Sequence, residues 1–172
     1  MKKTTFIAQA AIIAALYVVL TMLTNALGLA SHVIQVRFSE ALTILPFFIP
    51  AAIPGLFIGC LISNIMCGCI LWDVIFGSLA TLLGAAGTYL LSQLLVKKSK
   101  NIAIFTAPLP PIVANTIIVP LVLAYGYHIE DSIPFMMLTV GLGEIISCGI
   151  LGILLCKLLK KYEKQMFMQN KQ

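Results

Sequence analysis

Six stretches of this chain contain no Asp, Glu, Lys or Arg, and they limit its possible folds more than any other feature. They cover residues 4–36, 41–72, 74–96, 101–129, 132–143 and 145–156. A helix needs roughly 20 mainly apolar residues to cross a bilayer core of about 30 Å. The runs are continuous rather than alternating, which favours helices over barrel strands. We therefore predict an all-α integral membrane protein.

The composition agrees with a membrane protein. Hydrophobic residues make up 60% of the chain and charged residues 10%, whereas a soluble domain usually carries about 25% charged residues. This argues against an ordinary cytosolic enzyme, a nucleic-acid-binding module and a disordered chain. The five cysteines are an odd number inside apolar runs, which is poor material for a disulfide framework.

The ten lysines set the predicted topology because they fall in three clusters, at residues 2–3, 97–100 and 157–171. The positive-inside rule places all three clusters in the cytoplasm, so each interval between them holds an even number of crossings. Four crossings fit the first interval and two fit the second. We predict a compact bundle of six helices with both termini cytoplasmic. The net charge of +5 then reflects cytoplasmic loops rather than an anionic ligand.

The predicted spans form one membrane domain over residues 1–172. They are about 5–27, 39–52, 55–71, 74–96, 102–126 and 134–157. The short second and third spans meet at residues 50–55, where two prolines predict a tight cytoplasmic hairpin. The first apolar run exceeds the roughly 7–15 residues of a signal-peptide core, which favours a retained span over a cleaved signal.

Glu144 is the clearest candidate for a functional residue inside the membrane. It follows Pro134 by ten residues, or about 15 Å along a helix, which is near the midplane. An ionisable group there costs about 2.5–3.5 kcal/mol on insertion scales, so its presence usually marks function. Ser147 and Cys148 share its helical face at i+3 and i+4.

Asn115 is expected at a comparable depth on the preceding span. Prolines at 108, 110, 111 and 120 predict that this span is broken or kinked, and interrupted membrane helices often line binding sites. We favour a site formed by Asn115 and Glu144. A purely structural hydrogen bond between them is the alternative.

Further candidates lie at the predicted outer ends of the helices. Arg37 and Glu40 are spaced i, i+3, so a local ion pair is an equal alternative to a ligand role. Asp73 is expected to cap the fourth span, although Trp72 beside it could offer an aromatic platform to a planar ligand.

Other polar residues favour no site. His32 and His128 are expected to be solvated loop residues, and Cys67-Gly68-Cys69 is not a recognised zinc spacing. We therefore expect no metal site. The chain lacks a Walker A loop, a Gly-x-Ser-x-Gly elbow and a His-Glu-x-x-His motif. We therefore do not expect this chain to hydrolyse ATP through a Walker A loop or to be an enzyme. We also expect no cofactor.

Small residues recur four apart on the first and third spans. Ala10 and Ala14, and Ala11 and Ala15, form two overlapping patterns on the first. Gly55 and Gly59 form one on the third. Such spacing allows close helix contact, either within the bundle or with another membrane subunit.

The stretch Ile34-Gln-Val-Arg-Phe-Ser-Glu-Ala-Leu-Thr-Ile-Leu-Pro-Phe-Phe48, with Pro50-Ala-Ala-Ile-Pro-Gly-Leu-Phe-Ile-Gly-Cys-Leu-Ile-Ser-Asn64, resembles the QueT transporter family. These proteins are substrate-binding S components of energy-coupling factor (ECF) transporters. The resemblance implies partnership with a membrane coupling subunit and two cytoplasmic ATPases, in a bacterial cell membrane. It implies that Ala10, Ala11, Ala14 and Ala15 meet the coupling subunit.

The resemblance also implies a queuosine precursor as substrate: queuine, or a 7-deazaguanine base such as 7-aminomethyl-7-deazaguanine. A carboxylate suits the adjacent N–H donors of a guanine-like edge. We assign that edge to Glu144 and Asn115, a cationic amine to Asp73 or Glu40, and ring stacking to Trp72. An S component for another vitamin and a stand-alone small-solute carrier are the alternatives.

Overall fold

The computed structural model of the chain is helical throughout the part it describes, which is residues 3–29, 34–96 and 99–167, with backbone alone at 100 and 160–167. No strand occurs in these ranges. The helices in order are α1 Lys3–Ala26, a 3-10 helix Phe38–Phe47, α2 Ala52–Met66, α3 Leu71–Leu95, α4 Lys100–Thr106, α5 Leu109–Tyr125, α6 Ile133–Glu144, a π-helical stretch Ile145–Leu151 and α7 Gly152–Phe167.

The distribution of side chains is that of a membrane protein, with polar groups inside and apolar groups outside. Buried positions include Thr24, Thr81, Thr88 and Asn64. The exposed surface carries large apolar side chains along the whole length of the long helices. On α1 these include Ile7, Ile12, Leu16, Val19 and Leu23. In water this surface would be a large exposed patch, whereas lipid solvates it. The predicted all-α membrane fold is confirmed at this level.

Within the described ranges, four helical stretches are long and apolar enough to cross a membrane: Lys3–Ala26, Leu71–Leu95, Asn101–Tyr125 and Ile133–Leu159. They correspond to the predicted first, fourth, fifth and sixth spans. As expected from its prolines, the fifth is broken between α4 and α5. Thr88 donates a hydrogen bond of 2.8 Å to the carbonyl of Ala107 at this break, which satisfies a backbone group that the interruption frees.

The predicted second and third spans are shorter than a full crossing. The 3-10 helix covers ten residues, or about 20 Å, and α2 covers fifteen, or about 22 Å. A turn at residues 48–51 joins them, and α2 begins at Ala52, so Pro54 and Gly55 of the predicted hairpin lie in the first turn of α2. The count of six crossings and the cytoplasmic termini therefore stay predictions.

The 3-10 helix lies at the centre of the bundle. All residues from Ser39 to Pro46 are buried, and the helix packs against α1, α3, α7 and the π-helical stretch. Thr21 donates a 2.9 Å hydrogen bond to the Ser39 hydroxyl, and the Phe38 amide donates one of 3.1 Å to Thr24. These contacts fix the start of the helix against α1 and so position Glu40.

Candidate ligand-binding site

One end of the bundle opens into a polar cavity of about 310 Å³, which we call the loop-side cavity. It is formed by the ends of α1 and α2, the beginning of α3, the end of α5 and residues 35–37. Its lining is Thr21, Thr24, Asn25, Gln35, Arg37, Asn64, Cys67, Cys69, Asp73, Val119, Leu123, Tyr127 and Ile129. Small-molecule sites occupy about 300–1,000 Å³, so this cavity has room for a compact ligand.

A second and much smaller space, which we call the acidic pocket, adjoins this cavity. Its volume is about 20 Å³, enough for about one water-sized group. It is lined by Gln35, Arg37, Glu40, Cys60, Gly77, Thr81, Asn115, Val119, Val140 and Glu144. Gln35, Arg37 and Val119 line both spaces, so the two spaces are adjacent and we treat them as one site.

Glu40 and Glu144 face each other in the acidic pocket. Their exposed fractions are 2% and 8%, and a carboxylate oxygen of each lies within 4.8 Å of the other and of the Cys148 sulfur. Tyr17 donates a hydrogen bond to Glu40 Oε1. Cys148 donates one of 3.0 Å to Glu144 Oε2, as expected for a pair at i, i+4. Glu40 is thus held by Tyr17 on α1 and not by the local Arg37 ion pair that its spacing allowed.

Asn115 reaches this acid pair from α5. It is 4% exposed, and it lines the acidic pocket together with Glu40 and Glu144. The juxtaposition of Asn115 with Glu144 expected from their depths is therefore present, and Glu40 joins it. A carboxamide offers two N–H donors and one acceptor oxygen beside the two carboxyl groups.

The segment that carries Arg37 is held against the α6 side of the bundle. The Arg37 amide donates a 3.0 Å hydrogen bond to Ser147 in the π-helical stretch. On α6, a Cβ at Gly143 would lie only 2.1 Å from the Gln35 carbonyl oxygen. The absence of a side chain at Gly143 thus lets the Gln35–Arg37 backbone lie directly on this helix.

Asp73, with Asn64 and Tyr127, forms the polar wall of the loop-side cavity. Helix α3 begins at Leu71, so Asp73 is the third helical residue and does not occupy the predicted cap position. Its Oδ2 accepts a 3.2 Å hydrogen bond from the Tyr127 hydroxyl, and its carbonyl accepts one of 3.3 Å from Asn64. Burial, and then the Asp73 charge, raise the pKa of Tyr127, so this hydroxyl remains a donor at neutral pH.

The structure does not bring Trp72 to this site. Trp72 is 59% exposed and stacks on Phe76 with ring centroids 5.7 Å apart. Both rings line a separate apolar groove between α3 and α5. Successive helical residues point in different directions, so Asp73 faces the cavity while Trp72 faces outward. The aromatic ring that lines the loop-side cavity is Tyr127.

The four alanines on α1 separate into two pairs. Ala14 is 7% exposed, and Cβ atoms at Gly55 and Gly59 would lie 2.7 Å from the Ala10 carbonyl oxygen and 2.9 Å from that of Ala14. Ala10 and Ala14 therefore pack against the glycines of α2, which is the contact within the bundle that their spacing also allowed. Ala11 and Ala15 are exposed.

The remaining polar candidates fall in two places. Cys67 and Cys69 are free thiols that line the loop-side cavity, and burial raises the pKa of both. His128 is exposed, as predicted, and His32 lies outside the described residues.

The charge balance of the site defines its chemistry. Three of the six acidic residues of the chain, Glu40, Asp73 and Glu144, line the two connected spaces. The cation among the lining residues is Arg37. An excess of buried acceptors over donors suits a ligand that is rich in N–H groups or positively charged.

Tyr17, Asn64 and Tyr127 belong to this site although sequence reasoning did not select them. Asn64 closes the stretch that carries the family resemblance, which is a signal that could have identified it. Tyr17 and Tyr127 lie 23 and 54 positions from their partners Glu40 and Asp73, and nothing in the local sequence marks either residue.

A polytopic α-helical membrane protein with a polar ligand cavity at one end is therefore the class that this fold and site define. The sequence model of the QueT transporter family matches residues 7–161, which is most of the chain. The chain belongs to the QueT transporter family, so the resemblance is confirmed and a transport role in a membrane follows. No curated protein and no solved structure gives a significant match.

Proposed function

We propose that this chain is the substrate-binding S component of an ECF importer and that it captures a queuosine precursor, a 7-deazaguanine base. The observation that carries the proposal is the loop-side cavity of about 310 Å³ with buried acceptor groups, in a chain that belongs to a transporter family.

The position of the base follows from the two volumes. The acidic pocket around Glu144, at about 20 Å³, is smaller than a two-ring base, so in this proposal the base edge does not lie against Glu144. We place the ring in the loop-side cavity instead. There the Asp73 carboxylate and the Asn64 amide can meet the guanine-like edge, and Tyr127 supplies the aromatic surface.

The proposed energy source lies on partner proteins. In this proposal a membrane coupling subunit docks on the exposed Ala11 and Ala15 of α1, and two cytoplasmic ATPases drive uptake. The protein would lie in a bacterial cell membrane with both termini cytoplasmic. The loop-side cavity would then open outward, because Lys3 begins α1 while the cavity lies at its other end.

Binding measurements on the purified protein test the substrate. We expect tight binding of at least one base among queuine and its two biosynthetic base precursors, and weaker binding of guanine. Absence of binding by every 7-deazaguanine would refute this substrate and favour an S component for another vitamin.

Reconstitution tests the transport class. We expect uptake into proteoliposomes only when the coupling subunit and ATPases are present. Uptake by the chain alone would instead identify a stand-alone small-solute carrier.

A further inference from the structure

The acid pair in the acidic pocket has less positive charge near it than its own charge requires. Arg37 lines the acidic pocket beside Glu40 and Glu144. It also lines the loop-side cavity beside a third acid, Asp73, which interacts with the Arg37 charge. Buried carboxylates need a compensating charge or hydrogen-bond donors. One guanidinium does not balance three ionised carboxyl groups, so the site has to take up either protons or another cation.

One oxygen of this pair accepts no hydrogen bond. Glu40 Oε2 is fully buried and has no hydrogen-bond partner in the described structure, whereas Oε1 of the same carboxylate accepts the Tyr17 hydroxyl. Buried polar atoms are nearly always paired. An unpaired carboxylate oxygen beside a second carboxylate is suited to a ligand that donates hydrogen bonds and carries positive charge.

The volume limits what this ligand can be. About 20 Å³ accommodates about one water-sized group, and the pocket lies next to the cavity in which we place the ring. We propose that the acidic pocket is a subsite for a single compact cation, held between Glu40 and Glu144 with Asn115 beside them. This inference depends on the proposed function in one respect, which is the position of the ring in the loop-side cavity.

Two sources can supply such a cation. The first is a primary ammonium group on a one-carbon substituent of the transported base, which would extend from the loop-side cavity into the pocket. The second is a free metal ion, since Glu40, Glu144 and the Cys148 thiol offer three ligand atoms within 4.8 Å of one another. Both sources share the chemistry of a compact positive charge between two carboxylates, and experiment can separate them.

A matched ligand pair tests the ammonium source. We expect wild-type protein to bind 7-aminomethyl-7-deazaguanine at least about tenfold more tightly than 7-methyl-7-deazaguanine, and we expect the E40Q/E144Q variant to lose this preference. Removing buried like charges is compatible with folding. The control variant D73N should weaken both ligands and keep the preference. Retention of the full preference by E40Q/E144Q would overturn the ammonium source.

Free cations test the second source. If Na⁺ or Zn²⁺ strengthens binding of the 7-methyl base in wild type and not in E40Q/E144Q, the cation is inorganic, and loss of only the Zn²⁺ effect in C148S identifies a thiolate-bound metal. If neither the ammonium preference nor a cation effect depends on the two glutamates, the subsite does not exist.

The subsite can be tested separately from the base. Methylammonium, Na⁺ or Zn²⁺ should raise the thermal unfolding midpoint of wild-type protein relative to choline, and should not raise that of E40Q/E144Q. A protein that binds no deazaguanine but passes this test refutes the proposed substrate and retains the subsite. Equal midpoints in all these salts, with no glutamate-dependent ligand preference, would refute the subsite.

Discussion

Tyr17 on α1 donates a hydrogen bond to Glu40 on the central 3-10 helix. Both residues are almost completely buried, with exposed fractions of 1% and 2%. The helix that carries the exposed Ala11 and Ala15 thus also contacts the acid pair of the ligand site. Tyr17 fixes one Glu40 oxygen and leaves the other facing the acidic pocket.

Removing this hydroxyl should weaken ligand binding without unfolding the protein. In Tyr17→Phe the ring still fills its place, but Glu40 Oε1 loses its donor. We expect about a tenfold loss of affinity for the aminomethyl base, because Tyr17 no longer holds Glu40 in place for the ligand and about 1.4 kcal/mol of lost contact energy is a tenfold change. Isothermal titration calorimetry measures this affinity. Tyr89→Phe, on α3 outside both spaces, serves as the control. Equal affinity in wild type and Tyr17→Phe would show that Tyr17 does not position Glu40 for binding.

Gly143 gives a second test, which concerns the backbone. In Gly143→Ala the new Cβ would lie 2.1 Å from the Gln35 carbonyl oxygen, so residues 35–37 must shift away from α6. Overpacking of this kind costs about 1–3 kcal/mol, and it displaces Arg37 from the site. We expect a lower unfolding midpoint and at least about a tenfold weaker ligand affinity.

Gly149→Ala is the matched control for this substitution. A Cβ at Gly149 would meet its nearest atoms at 3.8 and 4.0 Å, which is ordinary contact, so stability and binding should be nearly unchanged. If Gly143→Ala behaves like Gly149→Ala, the close approach of residues 35–37 to α6 is not needed for the site.

The two alanine pairs on α1 should respond differently to the same substitution. Ala14→Leu places a large side chain against Gly59 and should destabilise the fold by about 1–3 kcal/mol. Ala11→Leu and Ala15→Leu add bulk to an exposed face and should leave folding and ligand binding intact. In the proposed importer they should reduce co-purification of the coupling subunit and ATP-driven uptake. Normal uptake by the Ala11→Leu/Ala15→Leu double variant would show that this face is not the docking surface.

The long helices could be predicted from sequence, and the central elements could not. Continuous apolar runs identify α1 and α3 because lipid contact requires apolar residues along their whole length. Residues 38–47 have the same apolar character, but they form a 3-10 helix with Pro46 inside it. The hydrophobic pattern does not distinguish this helix from a short α-helical span. Only the packing of five neighbouring elements around it does so.

Part of the candidate site could be predicted from sequence, namely the residues whose charged or amide group stands out in an apolar segment. Glu144, Asn115, Arg37, Glu40 and Asp73 all line the two spaces, since ionisable and amide groups in apolar runs are rarely accidental. Which residue meets which depends on tertiary contacts. The direction of a side chain on its helix also decided the outcome for Trp72, which is adjacent in sequence to Asp73 and faces away from it.

The thiols of Cys67 and Cys69 provide a test of the cavity and of the topology together. Both line the loop-side cavity, whereas Cys60, Cys148 and Cys156 are at most 2% exposed. A membrane-impermeant thiol reagent applied to whole cells should label Cys67 and Cys69 if the cavity opens outward. Saturating deazaguanine should protect them.

The pH dependence of labelling gives a further check. Burial raises the pKa of both thiols, so less reactive thiolate is present at neutral pH. Labelling should therefore rise with pH to a midpoint above the usual value of about 8.5. The C67S/C69S variant should not be labelled. Labelling only after the cells are permeabilised would show that the cavity faces the cytoplasm and that the orientation inferred from the lysines is reversed.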